Sequence, residues 1–192
     1  MRYLGAVLLI SLFFFPSCKN RYANPETNAK ANDTTKFFQL NQYLQEQIKE
    51  VNATPFFIYK IDIRNGKKDS TPINTLAFNQ VSNQFLTPDI NDSAIKKYYK
   101  ENIFEDQTTK GFTISYTTTN KALQLQNEDI LLKEDGQTVK RILLRKYQNY
   151  PDSSAIEQLS WKPGESFQVN RSVQKGNVES SLQTTIVWNK KE

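Results

Sequence analysis

The second half of the chain is a succession of short alternating segments separated by turn-forming residues. Apolar residues recur at every second position from Phe112 onward, and Asp135-Gly136, Pro163-Gly164 and Gly176-Asn177 stand between segments. Alternation with a period of two is typical of strands that bury one face, and glycine supplies the backbone angles of tight turns. Because short turns join antiparallel neighbours, this pattern predicts an antiparallel meander of about six strands.

The first element of the folded part is predicted to be a helix over residues 36–52. Its apolar residues recur at three- and four-residue spacing, which places them on one face of a helix. They are Leu40, Leu44, Ile48 and Val51. Thr34 or Thr35 can cap the first turn, because a hydroxyl accepts a hydrogen bond from a free backbone N–H group there.

A β-hairpin is expected next, over residues 57–73. Apolar residues alternate with charged ones in its first strand, and Asn65-Gly66 provides the positive φ values of a tight turn. The apolar set, which shares one face, is Phe57, Tyr59, Ile61 and Ile63, and the opposite face carries Lys60, Asp62 and Arg64.

Two shorter helices are predicted to follow the hairpin. The first begins after Asn74 or Thr75 and ends before Pro88. The second begins near Asp92 or Ser93. The apolar residues assigned to the two helices are Phe78, Val81 and Phe85 in the first, and Ile95, Tyr98, Tyr99 and Ile103 in the second. Helices that precede a run of strands indicate an α+β domain. We therefore expect N-terminal helices packed on a curved antiparallel meander sheet of about six to eight strands.

The N-terminus has the layout of a secretory signal peptide over residues 1–17. Arg2 precedes an apolar run from Leu4 to Phe15, and the small residue Ser17 precedes Cys18. The apolar run is about a dozen residues long, whereas a helix needs about 20 residues to span a bilayer. The segment is therefore predicted to be cleaved and not to remain as a transmembrane helix.

Phe15-Pro16-Ser17-Cys18 resembles the lipobox of bacterial lipoproteins. The resemblance implies cleavage between Ser17 and Cys18 and acylation of the Cys18 thiol and amine, which anchors the chain in a membrane. Because Lys19 and not Asp follows the cysteine, it also implies the outer membrane, with the domain facing the periplasm. The alternative is an ordinary signal peptide with an incidental cysteine, which would leave an unpaired thiol in an oxidising compartment.

Residues 18–35 are polar and show no apolar period. Such a segment cannot bury enough surface to offset its ordering entropy, so it is predicted to be a flexible tether. Residues 36–192 have the length of a single domain.

The chain contains no histidine and one cysteine. These absences remove His-dependent nucleophilic catalysis and His-containing zinc sites, and a lipidated Cys18 removes thiolate chemistry. The glycines form no phosphate-binding loop. We therefore expect no catalytic residue, no metal and no cofactor. The 25 basic residues exceed the 20 acidic ones only modestly, which does not favour a nucleic-acid partner.

Two acidic pairs could in principle act as acid and base, namely Glu105-Asp106 and Glu128-Asp129. A solvated loop or strand end explains both pairs more simply. The basic cluster Lys140, Arg141, Arg145 and Lys146 lies on one strand, and the period of two sends its members to both faces.

Aromatic residues are abundant, and tyrosine and tryptophan are enriched at binding surfaces, although most rings in such a sheet form its core. The leading hypothesis is a non-enzymatic binding or interaction module, tethered to the membrane, whose partner is an envelope protein, glycan or lipid. One alternative is a carrier that holds a hydrophobic ligand between helices and sheet. A second alternative is a carboxylate-dependent hydrolase.

The mature chain as a whole resembles uncharacterised small lipoproteins of Bacteroidota. The segments that carry this resemblance are Asp106-Gln107-Thr108-Thr109, residues 120–125, Trp161-Lys162 with Phe167-Gln168, and Ile186-Val187-Trp188. Asp followed by Thr or Ser also resembles the O-glycosylation acceptor of envelope proteins in that phylum. This second resemblance implies Thr34, Ser70 and Ser93 as acceptors, although such pairs also cap helices and form turns.

Overall fold

A computed structural model describes residues 36–188, which form three α-helices, one 3₁₀ turn and nine strands. The helices are α1 (Leu40–Ala53), α2 (Thr75–Ser82) and α3 (Ser93–Lys96), and the 3₁₀ turn (Asn83–Phe85) continues α2. The strands are β1 (Ile58–Arg64), β2 (Lys67–Ile73), β3 (Tyr99–Glu105), β4 (Phe112–Thr118), β5 (Leu125–Leu132), β6 (Val139–Asn149), β7 (Ser154–Lys162), β8 (Ser166–Lys175) and β9 (Val178–Val187).

The strands build a single antiparallel sheet in the order β2-β1-β9-β8-β7-β6-β5-β4-β3. The run from β4 to β9 is the expected meander of six strands, β3 extends it at one edge, and the β1–β2 hairpin pairs through β1 with β9 at the other end. The fold is therefore α+β, as predicted. The expected number of six to eight strands was too low, because the sheet has nine.

The missing strand is β3, which the sequence pattern assigned to the third helix. Tyr99 and Ile103 have the four-residue spacing of a helix face, but α3 ends at Lys96 and residues 99–105 pair with β4. The Tyr99 hydroxyl donates a hydrogen bond to the backbone oxygen of Leu125 at 2.7 Å. Pairing with a distant part of the chain therefore overrides the local helical spacing.

One face of the sheet, here named the core face, is packed against the helical segments by aromatic rings. Trp161 and Phe167 face each other across β7 and β8 and stack with centroids 4.9 Å apart. Phe85, from the 3₁₀ turn, lies 5.1 Å from each of these rings, and Phe78 of α2 lies 5.6 Å from Trp188. All five side chains are buried, which makes this cluster the centre of the hydrophobic core.

Helix α1 begins four residues later than predicted, at Leu40. Residues 36–39 are not helical, and the N-cap position is Gln39, which makes no side-chain cap. The predicted cap residues Thr34 and Thr35 lie outside the described residues. The backbone N–H of Phe37 instead donates to the Asn91 side chain at 2.8 Å, and that of Phe38 donates to the Tyr116 hydroxyl at 2.9 Å. These two bonds replace the first helical turn.

The β1–β2 hairpin forms as predicted, with Asn65 at φ 50° and Gly66 at φ 74° in its turn. Its alternation is also confirmed. The apolar set, however, lies on the face opposite the core, where Phe57 is 84% exposed and Tyr59 is 45% exposed. The reason is the pairing with β9, which sets Lys60 opposite the buried Ile186 and Asp62 opposite Thr184.

Within residues 36–188, no helix is long and apolar enough to cross a membrane.

Candidate functional site

The residues singled out for modification are divided between the described and undescribed parts of the chain. Ser17, Cys18 and Thr34 lie outside the described residues. Ser70 lies on the exposed edge strand β2, and Ser93 is the exposed first residue of α3. The Asp92 side chain accepts a hydrogen bond from the Ala94 N–H at 2.9 Å, so the predicted cap before α3 is confirmed.

The acidic pair Glu105-Asp106 ends β3. Asp106 accepts hydrogen bonds from the Thr109 hydroxyl at 2.7 Å and from the Thr108 N–H at 2.8 Å. These bonds lower the pKa of Asp106 and show that it stabilises a turn. The explanation as a solvated strand end holds for this pair.

That explanation is wrong for Glu128 in the second pair. Glu128 and Asp129 point to opposite faces of β5, and Glu128 is fully buried on the core face beside Tyr116 and Leu144. Among the described residues, neither of its carboxyl oxygens has a hydrogen-bond partner. Burial raises the pKa of Glu128 to about 8, and the carboxylates of Asp89 and Asp129 act in the same direction. Burial therefore favours the protonated form of Glu128.

The basic cluster on β6 divides between the two faces as expected. Lys146 is buried on the core face, where its Nζ donates to the backbone oxygen of Gln84 and burial lowers its pKa. Arg141 and Arg145 lie on the opposite face, and the Arg141 guanidinium donates to the Ser160 hydroxyl at 2.9 Å.

This opposite face, here named the outer face, is dominated by amide and hydroxyl side chains. Two rows cross the strands there, because residues paired across antiparallel strands point to the same side. The first row runs Thr117, Asn127, Arg145, Gln158, Asn170 and Gln183, and the second runs Ser115, Asp129, Leu143, Ser160, Gln168 and Thr185. Only one of these twelve side chains, that of Asp129, is acidic.

A groove opens where the first row meets the β4–β5 loop, and we name it the Tyr147 groove. Its main depression measures about 590 Å³ and is lined by Thr117, Thr118, Lys121, Gln126, Asn127, Arg145, Tyr147 and Ile156. An adjoining depression of about 450 Å³ shares Lys121 and Tyr147 and extends to Gln124 and Tyr150. The groove therefore combines two tyrosine rings with amides and two basic groups.

The fold holds several groove side chains in place. Gln126 donates from its amide to the backbone oxygens of Leu123 and of Asn120, the latter at 3.1 Å, which fixes the β4–β5 loop. Asn127 donates to the Asp129 carboxylate at 2.6 Å. The backbone N–H of Tyr147 donates to the Gln124 oxygen at 2.8 Å, so the loop is also joined to β6. These bonds give the groove a preformed shape.

Charge in the Tyr147 groove has one sign. Of the described residues that line its two depressions, none is acidic, while Lys121 and Arg145 are basic. Neither of these two forms an ion pair with another described residue. The groove therefore presents uncompensated positive charge beside neutral polar groups.

A separate depression of about 560 Å³, outside the Tyr147 groove, lies at the β1–β2 hairpin. Its lining carries both signs of charge, with the basic Arg64, Lys67 and Lys68 beside the acidic Asp62 and Asp69. Arg64 pairs across the strands with Lys67 and Asp62 pairs with Asp69, which sets opposite charges on the diagonals. Asp62 is further held by Lys60 at 2.8 Å. This depression offers no comparable charge imbalance to a ligand.

No cluster of three or more His, Cys, Asp or Glu side chains within residues 36–188 could hold a metal ion.

No protein-family model matches the chain, and no curated protein matches it. Among solved structures, the chain is similar to one in the complex structure of Pseudomonas aeruginosa MucA/MucB, with 8% sequence identity. The match covers 77% of this chain and 93% of that chain, with a TM-score of 0.25. A similarity at this level carries no weight for fold or function.

The Tyr147 groove was missed at the sequence level, although Tyr147 and Tyr150 belong to the aromatic residues noted there. Its lining comes from the β4–β5 loop and from strands β4 to β7, and no local motif joins these parts. The available signal was the Asn, Gln and Thr content of strands whose alternate positions are apolar.

Proposed function

We propose that the chain is a non-enzymatic binding module, anchored to the outer membrane through Cys18, that holds an envelope partner on the outer face of its sheet. The observation that supports this proposal most strongly is the Tyr147 groove at one end of an amide-rich sheet face. On the core face, buried rings pack against the helical segments, so the outer face is the broad surface left for a partner.

The packing of the core face bears on the carrier hypothesis. A hydrophobic ligand would have to enter between the helices and the sheet, where Phe85, Trp161 and Phe167 already have centroid distances of about 5 Å. A curved sheet could enclose such a ligand only if these rings moved apart. The binding-module hypothesis requires no rearrangement of the core and is therefore preferred.

The hydrolase hypothesis requires two carboxylates that face one substrate roughly 5 to 9.5 Å apart. Glu128 and Asp129 point to opposite faces of β5, and Asp106 is engaged in a turn. The arrangement favours binding over catalysis.

Photocrosslinking in the native envelope provides the test. A photoreactive residue is placed at Gln158, in the centre of the outer face, and in a control protein at the exposed Lys49 of α1. The proposal predicts a discrete adduct from position 158 and none from position 49. Equal adduct patterns from both positions, or adducts from position 49 alone, would place the partner elsewhere.

A further inference from the structure

We propose that the Tyr147 groove binds an acidic glycan, with Tyr147 and Tyr150 contacting sugar rings and with Arg145 and Lys121 contacting the acidic groups. This inference rests on the proposed function, because it names the partner class for the same face.

The Tyr147 groove contains two tyrosine rings. Tyr147 is paired across the strands with Ile156, which is 37% exposed, and Tyr150, which is 46% exposed, lies in the adjoining depression. An aromatic ring with an apolar body and a polar tip suits a ligand that has both C–H faces and hydroxyl groups. A sugar ring presents both. A purely hydrophobic ligand would leave the surrounding amides without partners.

Amide side chains also line the Tyr147 groove. Asn and Gln side chains both donate and accept hydrogen bonds, and a sugar hydroxyl does the same, so the two kinds of group are complementary. Asn127 is held by its 2.6 Å bond to Asp129, and Gln126 is held by the β4–β5 loop. Ordering these side chains in advance reduces the entropy that a ligand must overcome when it binds.

Charge selects the kind of glycan. Arg145 and Lys121 are exposed, and the described lining contains no carboxylate that could neutralise them. Asp129 lies on the second row of the outer face, where the Asn127 amide engages its carboxylate. A glycan that carries carboxylate or phosphate groups would pair with the two basic side chains.

The experiment uses the lipidated mature protein in detergent and isothermal titration calorimetry with three ligands. These are a galacturonate hexamer, a neutral glucose hexamer linked as in cellulose, and a glutamate hexamer that has matched charge but no sugar ring. We expect the galacturonate hexamer to bind about threefold to fivefold more tightly than the neutral sugar, which is the effect of one or two exposed ion pairs. We expect no detectable binding of the glutamate hexamer.

Two substitutions separate the roles of ring and charge. Tyr147→Ala should weaken binding of both sugars about fivefold to tenfold, as expected for the loss of one aromatic contact. Arg145→Gln should reduce the preference for the acidic sugar and leave binding of the neutral one unchanged. Tyr59→Ala is the matched control, because Tyr59 is an exposed tyrosine on the same face but lies outside the groove. If Tyr147→Ala lowers the melting temperature, Tyr150→Ala replaces it.

If the glutamate and galacturonate hexamers bind with equal affinity, the binding is explained by charge alone, and the proposal is rejected. Unchanged sugar affinity in both tyrosine variants, or no sugar binding at all, would also reject it. Binding of the two sugars with equal affinity would remove the acidic part of the assignment. A protein adduct from position 158 together with no sugar binding would preserve the proposed function and reject the glycan.

Discussion

Phe38 and Tyr116 are 78 positions apart in the chain, and the backbone N–H of Phe38 donates a hydrogen bond to the Tyr116 hydroxyl at 2.9 Å. The Phe37 ring also lies 4.6 Å from the ring of Tyr116. The segment that leads into α1 is therefore attached to the core face at β4. This connection joins the start of the folded domain to a strand far along the chain.

Tyr116→Phe tests this connection. The substitution leaves the N–H of Phe38 without its partner in a partly buried position, so we expect the free energy of unfolding to fall by about 1 to 2 kcal/mol. Urea unfolding of residues 19–192 measures the change. Tyr150→Phe is the control, since the hydroxyl of the exposed Tyr150 bonds only to Gln148 among the described residues, and its loss should cost less than about 0.5 kcal/mol.

Stability should depend on pH through Glu128, whose pKa is raised by burial to about 8 in the fold from its ordinary value of 4.5. Between these two values the folded protein holds a proton that the unfolded chain has lost. The free energy of unfolding should therefore decrease as pH rises from about 4.5 to 8, by up to about 1.4 kcal/mol per pH unit, and level off above that range.

Glu128→Gln isolates this contribution. The amide cannot ionise, so urea unfolding of the variant should lose most of the pH dependence over that window, whereas Glu105→Gln on the exposed edge strand should retain it. The other titratable groups whose charge influences Glu128, or that Glu128 influences, are Tyr116, Tyr99, Asp89 and, on the opposite face of β5, Asp129. The two tyrosines have raised pKa values and stay neutral over this range. A variant with the same pH slope as the unsubstituted protein would show that Glu128 is ionised in the fold.

How far the sequence predicts this structure depends on the range of the interactions. The β1–β2 hairpin and α2 follow from local signals, namely Asn65-Gly66 and the Asn74 side chain, which accepts from the Ala77 N–H as an N-cap. The strand β3 and the late start of α1 were predicted wrongly, because pairing with β4 and the contacts of Phe37 and Phe38 are made with distant segments.

The residues of the candidate site were also hard to predict, because they come from segments that are distant in the chain. Strand alternation correctly separates Lys146 from Arg145, yet it cannot show that β4 and β7 bring Thr117 and Ile156 to one groove. Glu128 illustrates a further difficulty. An acidic residue beside Asp129 suggests a solvated position, and only the observed pairing with Tyr116 and Leu144 shows that it is buried.

Trp188 follows the last strand, and its ring is 4% exposed and lies 5.6 Å from those of Phe78 and Trp161. Trp188→Ala removes a large buried ring and should lower the free energy of unfolding by about 3 to 5 kcal/mol. Phe57→Ala is the matched control, because Phe57 is 84% exposed and its loss should cost less than about 0.5 kcal/mol. Similar urea midpoints for the two variants would mean that the buried ring of Trp188 contributes little to the stability of the core.

The membrane anchor and the glycosylation hypothesis are both tested on protein from the native host. Cys18→Ala should abolish labelling by radioactive fatty acid, because the thioether is formed on that sulfur, and label that persists would contradict the anchor.

Intact-mass measurement of the unsubstituted protein should show hexose-sized increments if Thr34, Ser70 or Ser93 is modified. A mass equal to that of the lipidated polypeptide would reject all three sites.

Hydroxyl-radical footprinting tests most directly whether the outer face holds a partner, because it compares the same protein in intact cells and after purification. If a partner covers the outer face, Tyr147, Ile156 and Leu143 should be labelled less in cells than in the purified protein. Leu76 on α2, which is 66% exposed, should be labelled equally in both. Equal labelling of the outer-face residues in the two samples would contradict the proposal that a partner is bound on this face.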